Sequence, residues 1–209
     1  MKIAVINETS AADRNADILN ALENSRNEII NVGMRTNFEK PELTYIHTGL
    51  LAALLLNINR VDYVVGGCGT GQGFLNSVLQ YPSVICGLIA SPMDAWLFTQ
   101  INGGNCISLR LNQGYGWASC EKLKFIFERI FNVESGCGYP PHRKDSQQQS
   151  LKALKHISET SHKDFSEIIK LLPESVVRPV INYPGVLDLL NLDTLENGEL
   201  ANVIAKYIN

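Results

Sequence analysis

Gly67, Gly69, Gly71 and Gly73 alternate with Cys68, Thr70 and Gln72 directly after an apolar, β-branched run that begins at Val61. The run reads as a buried strand, and Gln72 to Gln80 can continue as a helix, so the glycines fall at a strand-to-helix turn. That placement constrains the rest of the chain. A turn with little side-chain bulk brings backbone N–H groups close to a ligand, and the helix behind it adds the positive end of its dipole. An anion, or an oxygen that becomes one during a reaction, fits there with the Cys68 thiol beside it.

The flanking sequence repeats the strand-and-helix alternation. Lys2 to Asn7 reads as a first strand ending at Glu8, and Ser10 to Asn24 as a helix carrying Ile18 and Leu22. Glu28 to Val32 is a second strand, and Leu43, Ile46, Leu50, Ala53 and Leu54 give a helix to about Asn57 one apolar face. Val84 to Ile89 and Asn105 to Leu109 supply strands four and five, separated by a helix opened by Ser91-Pro92. A closing helix carries Leu123, Ile126, Phe127 and Ile130. This alternation predicts a three-layer α/β/α Rossmann-like domain with a five-stranded parallel sheet over residues 1–132. Residues 133–150 read as a linker that completes the site, and 151–209 as a helical C-terminal extension broken by Pro173, Pro179 and Pro184.

Composition narrows the function. With 45% hydrophobic residues in 209, the chain can bury a full core unaided. A net charge of −3 with no basic stripe among aromatics gives no nucleic-acid footprint, and no apolar run is long enough to span a membrane. The five cysteines (68, 86, 106, 120 and 137) have no paired spacing, which argues for reduced thiols in a cytoplasmic protein and against a structural metal site.

The glycine turn matches neither a dinucleotide fingerprint nor a triphosphate loop: Gln72 stands where G-x-G-x-x-G needs its third glycine, and no Gly-Lys-Ser/Thr follows. A tight turn alone would account for one or two of the glycines, so a ligand-binding role is favoured. Cys68 is then a candidate nucleophile or base, because helix N-termini favour the thiolate. His47, in the body of the sheet domain, reads as a packing or surface residue, and no other histidine offers a convincing partner for nucleophilic hydrolysis.

These residues together resemble the ribose-5-phosphate isomerase B and galactose-6-phosphate isomerase family over residues 1 to about 145. Val61-Asp62, five intervening residues and Cys68-Gly69-Thr70-Gly71-x-Gly73 match the family run V-D-x5-C-G-T-G-x-G without gaps. Thr44-Tyr45, Ser91-Pro92 and Gln100-Ile101-Asn102 add to the likeness. The resemblance implies an aldose–ketose isomerase acting through an enediolate without metal or organic cofactor, on a strand order 2-1-3-5-4. Cys68 would be the base with Thr70 at its side, and the Gly69, Gly71 and Gly73 backbone would hold the oxyanion. Glu8, Tyr45 and Asn102 would line the substrate, while Arg110, His142 and Arg143 would meet a phosphate. The same resemblance implies a homodimer or homotetramer whose sites are shared between subunits.

The chain also departs from the family pattern. Glu8-Thr9 stands for its Asp-His, Ile101 for its ring-opening histidine, and Arg110 precedes the usual arginine by two residues. A divergent isomerase of a sugar or sugar phosphate is expected. The alternative is a non-catalytic protein of the same fold that binds sugars or phospho-ligands.

Overall fold

Nine consecutive residues, Thr48 to Leu56, are buried in the helix α2 (Tyr45–Asn57), so this helix needs cover on every side. The computed structural model, which describes residues 1–209, shows where the cover comes from. One side of α2 lies on a five-stranded parallel sheet formed by β1 (Lys2–Asn7), β2 (Glu28–Asn31), β3 (Tyr63–Cys68), β4 (Cys86–Ile89) and β5 (Cys106–Arg110), in the order β2-β1-β3-β5-β4. The other side is covered by the C-terminal segment. The sequence pattern points to one apolar face on α2, whereas the fold buries the helix between two layers.

Residues alternate between the two faces of the sheet, as the period of a strand requires. Ala4, Ile6, Val64, Cys68 and Cys106 join the core beneath α2 and α3 (Gln72–Val78). Ile3, Val5, Val65, Ile107 and Leu109 join the opposite core, beneath α1 (Asn15–Leu22), α4 (Pro92–Leu97) and α5 (Ser119–Phe131). A 3-10 turn (Thr9–Arg14) leads from β1 into α1, and a π-helical turn (Phe98–Asn102) ends α4. The five cysteines are free thiols, and no helix is long and apolar enough to cross a membrane.

The extension consists of α6 (Lys144–Ser161), α7 (Phe165–Leu171), α8 (Glu174–Ile181), α9 (Val186–Leu190) and α10 (Gly198–Ala205). α6 runs straight across the boundary expected at 150/151 and takes up part of the expected linker, because Lys, Gln and Leu are good helix formers. From α7 onward, Phe165, Ile169, Val177, Val180, Val186 and Ile204 belong to the same continuous core as α2 and the sheet. Polar ties reinforce the seam. His47 Nδ1 accepts the Thr44 N–H at 3.0 Å, so Nε2 carries the proton and donates to the Ser175 carbonyl oxygen at 3.1 Å. Arg60 reaches the Leu190 carbonyl oxygen at 2.8 and 3.0 Å, and Tyr183 Oη donates to the Gly33 carbonyl oxygen at 3.3 Å.

Candidate active site

The chain leaves β1 to build β2 on one side and then returns to build β3 on the other. The C-terminal ends of β1 and β3 therefore flank the point at which the strand order reverses, where open parallel sheets hold their ligands. Three polar residues stand in a row there. Asn7 of β1 pairs with Gly67 of β3, so Glu8 lies one step on, opposite Cys68, and Cys68 pairs directly with Arg110 of β5. The alternation of side chains puts all three on the α2 and α3 face. A carboxyl, a thiol and a guanidinium thus occupy neighbouring strand ends.

The glycine turn is fixed from several directions. Gly71 has φ of +76°, a backbone conformation that suits glycine, and a Cβ added at Gly66 would lie 2.2 Å from Phe74 Cζ. Ser108 Oγ donates to the Gly71 carbonyl oxygen at 2.6 Å, the Cys68 carbonyl oxygen accepts the Leu111 N–H at 3.1 Å, and the Gly69 carbonyl oxygen accepts the Asn112 N–H at 2.9 Å. These bonds occupy the carbonyl oxygens of Cys68, Gly69 and Gly71. The Gly71 N–H donates to the Cys68 carbonyl oxygen at 3.2 Å and the Gly69 N–H to Ser10 Oγ at 3.0 Å. The Thr70 and Gly73 amides have no protein acceptor and remain available to an anion.

Cys68 is 5% exposed, and its sulfur lies 4.0 Å from Thr70 Oγ1. Arg110 is half-buried with its stem against Gly71, and none of the chain's ion pairs includes it. Tyr45 lays its ring against Gly73, so close that a Cβ there would come within 2.9 Å of it. Glu8 accepts from the Ser10 N–H at 3.0 Å and from Ser10 Oγ; burial pushes its carboxyl above the usual range, against the pull of those two bonds.

Glu8, Tyr45, Cys68, Gly69, Thr70, Gly71, Gly73 and Arg110 therefore gather at one place. Asn102, His142 and Arg143 do not join them within one chain. α4 runs back along the sheet, and Asn105, three residues past Asn102, bonds Ile85 and Ser83 at the start of β4. The loop leading to His142 is held against the same π-helical turn, with Gly136 and Gly138 donating to the Thr99 and Gln100 carbonyl oxygens. A strand's length, roughly 15 Å, separates that end of the sheet from Cys68. Ser10, Ser108 and Asn112 are residues that the sequence reading missed. Ser10 stands two residues after a carboxylate, a usual spacing for a local hydroxyl bond; the other two act across distant chain segments and leave no local signal.

Cys68, Glu8 and Arg110 line none of the principal cavities. The most capacious, about 730 Å³, lies beside Arg60, whose guanidinium is already spent on carbonyl groups. No group of three or more His, Cys, Asp or Glu side chains is arranged to hold a metal ion.

The sequence profile of a family described as Ribose/Galactose Isomerase matches residues 3–131. A search of curated proteins finds no match. Among solved structures, ribose-5-phosphate isomerase from Vibrio parahaemolyticus is 36% identical over 100% of this chain and 99% of its own, with a TM-score of 0.93. A 4-deoxy-L-threo-5-hexosulose-uronate ketol-isomerase, solved in complex with a tartrate, is 34% identical over 99% of both chains, with a TM-score of 0.92. Ribose 5-phosphate isomerase from Thermotoga maritima shares the fold at 17% identity and a TM-score of 0.60, covering 74% of this chain and 97% of its own.

Proposed function

The chain belongs to the ribose/galactose isomerase family, and on that premise we propose that it is an aldose–ketose isomerase in which Cys68 moves a proton between adjacent carbons of an open-chain sugar acid. The observation that carries this reading is the alignment of Glu8, Cys68 and Arg110 on three neighbouring strand ends beside the unpaired amides of Thr70 and Gly73. The thiolate takes the carbon proton, the two amides receive the oxygen as it becomes negative, and the free guanidinium of Arg110 binds the substrate's own anionic group. Thr70 and Tyr45 flank the reacting carbons.

The choice of an open-chain acid rests on chemistry. A hexose carrying a ketone at carbon 5 and no oxygen at carbon 4, as in the name of the uronate ketol-isomerase, has no hydroxyl at either position to close the usual furanose or pyranose ring onto its aldehyde. Such a substrate needs no acid to open an aldose furanose or pyranose ring, in keeping with Ile101 at the position of the family's ring-opening histidine. The Vibrio neighbour supports a second reading, a pentose phosphate, whose phosphate would need cations beyond Arg110.

Those cations bear on assembly. Asn102, His142 and Arg143 sit at the far end of the sheet and reach a Cys68 site only from a second copy, and the site in one chain is an open shelf where water would compete for the enediolate. A homodimer with shared sites, acting without a cofactor in the cytoplasm, is therefore part of the proposal. The test is incubation of the protein with the 4-deoxy-5-keto-hexuronate and, separately, with ribose 5-phosphate in deuterated water. Turnover of the uronate with deuterium incorporation is expected, and Cys68→Ala should lower kcat by about 10²–10⁴-fold. Full activity in Cys68→Ala would refute the assignment. Binding of either compound without turnover would support a non-catalytic binding protein instead.

A further inference from the structure

Converting an aldose to a ketose moves two protons: one passes between carbons and one between the oxygens they carry. A single thiol serves the carbons. The oxygens need a second group that can both give and take a proton, and Glu8 is built for this. It lies one residue past the Asn7–Gly67 pair, opposite Cys68 and on the same face of the sheet, and is only 3% exposed. Its Oε1 is anchored by the Ser10 N–H and hydroxyl, whereas Oε2 has no protein donor and is not sealed from solvent. One oxygen is thus held and the other is left without a protein partner.

The anchor is also tied to the oxyanion turn. Ser10 Oγ gives its proton to Glu8 and accepts the Gly69 N–H at 3.0 Å, while Asn112 Nδ2 donates to the Ser10 carbonyl oxygen. The carboxyl, the hydroxyl and the amide next to Cys68 therefore form one chain of hydrogen bonds. We propose that Glu8 is the catalytic residue that carries the hydroxyl proton between the two substrate oxygens, with Ser10 as the positioning residue that aims it. The proposal rests on the isomerase reading above.

The step balances without any co-reactant. The Cys68 thiolate removes the proton from C2 as the Glu8 carboxylic acid protonates O1, leaving a C1–C2 enediol. The Glu8 carboxylate then removes the proton from O2 as the C2 carbonyl forms, and the Cys68 thiol returns a proton to C1. Burial raises Glu8's proton affinity and the Glu42 carboxylate adds to that effect; Cys68 on β3 and Arg110 on β5 are the other titratable or charged groups on that row. A carboxyl held in this way can exist as an acid closer to neutral pH than a solvated one.

The test compares Glu8→Gln, Glu8→Asp, Ser10→Ala and Cys68→Ala with the 4-deoxy-5-keto-hexuronate as substrate in deuterated water. In Glu8→Gln, product formation should fall by about 10²–10⁴-fold. Exchange of the transferable carbon hydrogen should fall much less, because the thiol can still form the enediolate. Glu8→Asp should recover part of the turnover together with the carboxyl limb of the kcat–pH profile, which Glu8→Gln lacks. Ser10→Ala should shift that limb while retaining exchange, and it keeps the question open to measurement if Glu8→Gln folds poorly. Turnover of Glu8→Gln within about threefold of wild type, beside an inactive Cys68→Ala, would overturn this proposal alone; equal loss of exchange and turnover in folded Glu8→Gln would also overturn it. An active Cys68→Ala would remove the isomerase reading and this proposal with it.

Discussion

Ser108 Oγ donates to the Gly71 carbonyl oxygen at 2.6 Å from a fully buried position on β5, fixing the glycine turn to the strand beside it. The Gly71 carbonyl oxygen also accepts the Leu75 N–H at 3.2 Å, so this one oxygen joins β5, the turn and the first turn of α3. Ser108→Ala should cost about 1–1.5 kcal/mol and lower Tm by about 2–5 °C. The turn should loosen as well, so kcat should fall more than KM rises. Thermal unfolding and steady-state kinetics on one preparation measure both effects.

Gly66 is held by packing. An added methyl would sit 2.2 Å from Phe74 Cζ, and Phe74 is fully buried beneath α2. Gly66→Ala should therefore destabilise the protein by about 1–3 kcal/mol through overpacking. Denaturant unfolding should show a lower midpoint with an unchanged slope.

Glu8 gives a stability signature with a definite sign. Its carboxyl is raised above 4.5 in the folded protein, mainly by burial, so the folded state holds that proton more tightly than the unfolded chain does. Its favourable contribution is present below the ordinary carboxyl value and is lost as pH rises through the raised one. Glu8→Gln carries no such charge, so its Tm relative to wild type should increase as pH rises above the ordinary carboxyl value. A difference in Tm that stays flat or falls with pH would contradict the raised carboxyl. Greater stability combined with lost turnover is the usual trade where a buried ionisable group serves function.

His47 caps α2 and holds the extension through opposite ring nitrogens. His47→Ala should lose both bonds, costing about 1–2 kcal/mol. Hydrogen exchange should speed up at the first turn of α2 and around Ser175, with the glycine turn unaffected. Protection lost uniformly across the chain would refute a local role.

The sheet and its glycine turn were legible in the sequence because their signals are local. β-branched runs specify strands, and a bulk-free turn between strand and helix specifies a backbone site, so β3, Cys68 and the residues to Gly73 stand where the pattern puts them. The gapless Cys-Gly-Thr-Gly match also identified the family. Which residues share that site was decided only in three dimensions. Glu8 faces Cys68 because β1 and β3 pair in one particular register, and Arg110 joins them because β5 lies beside β3. Register and strand order follow from burying both faces of the sheet at once, a condition on the whole chain. The same holds for α2, whose continuous apolar surface is explained only when the extension closes over it. It also holds for Asn102, His142 and Arg143: they follow helices that run back along the sheet, so chain direction carries them to its opposite end.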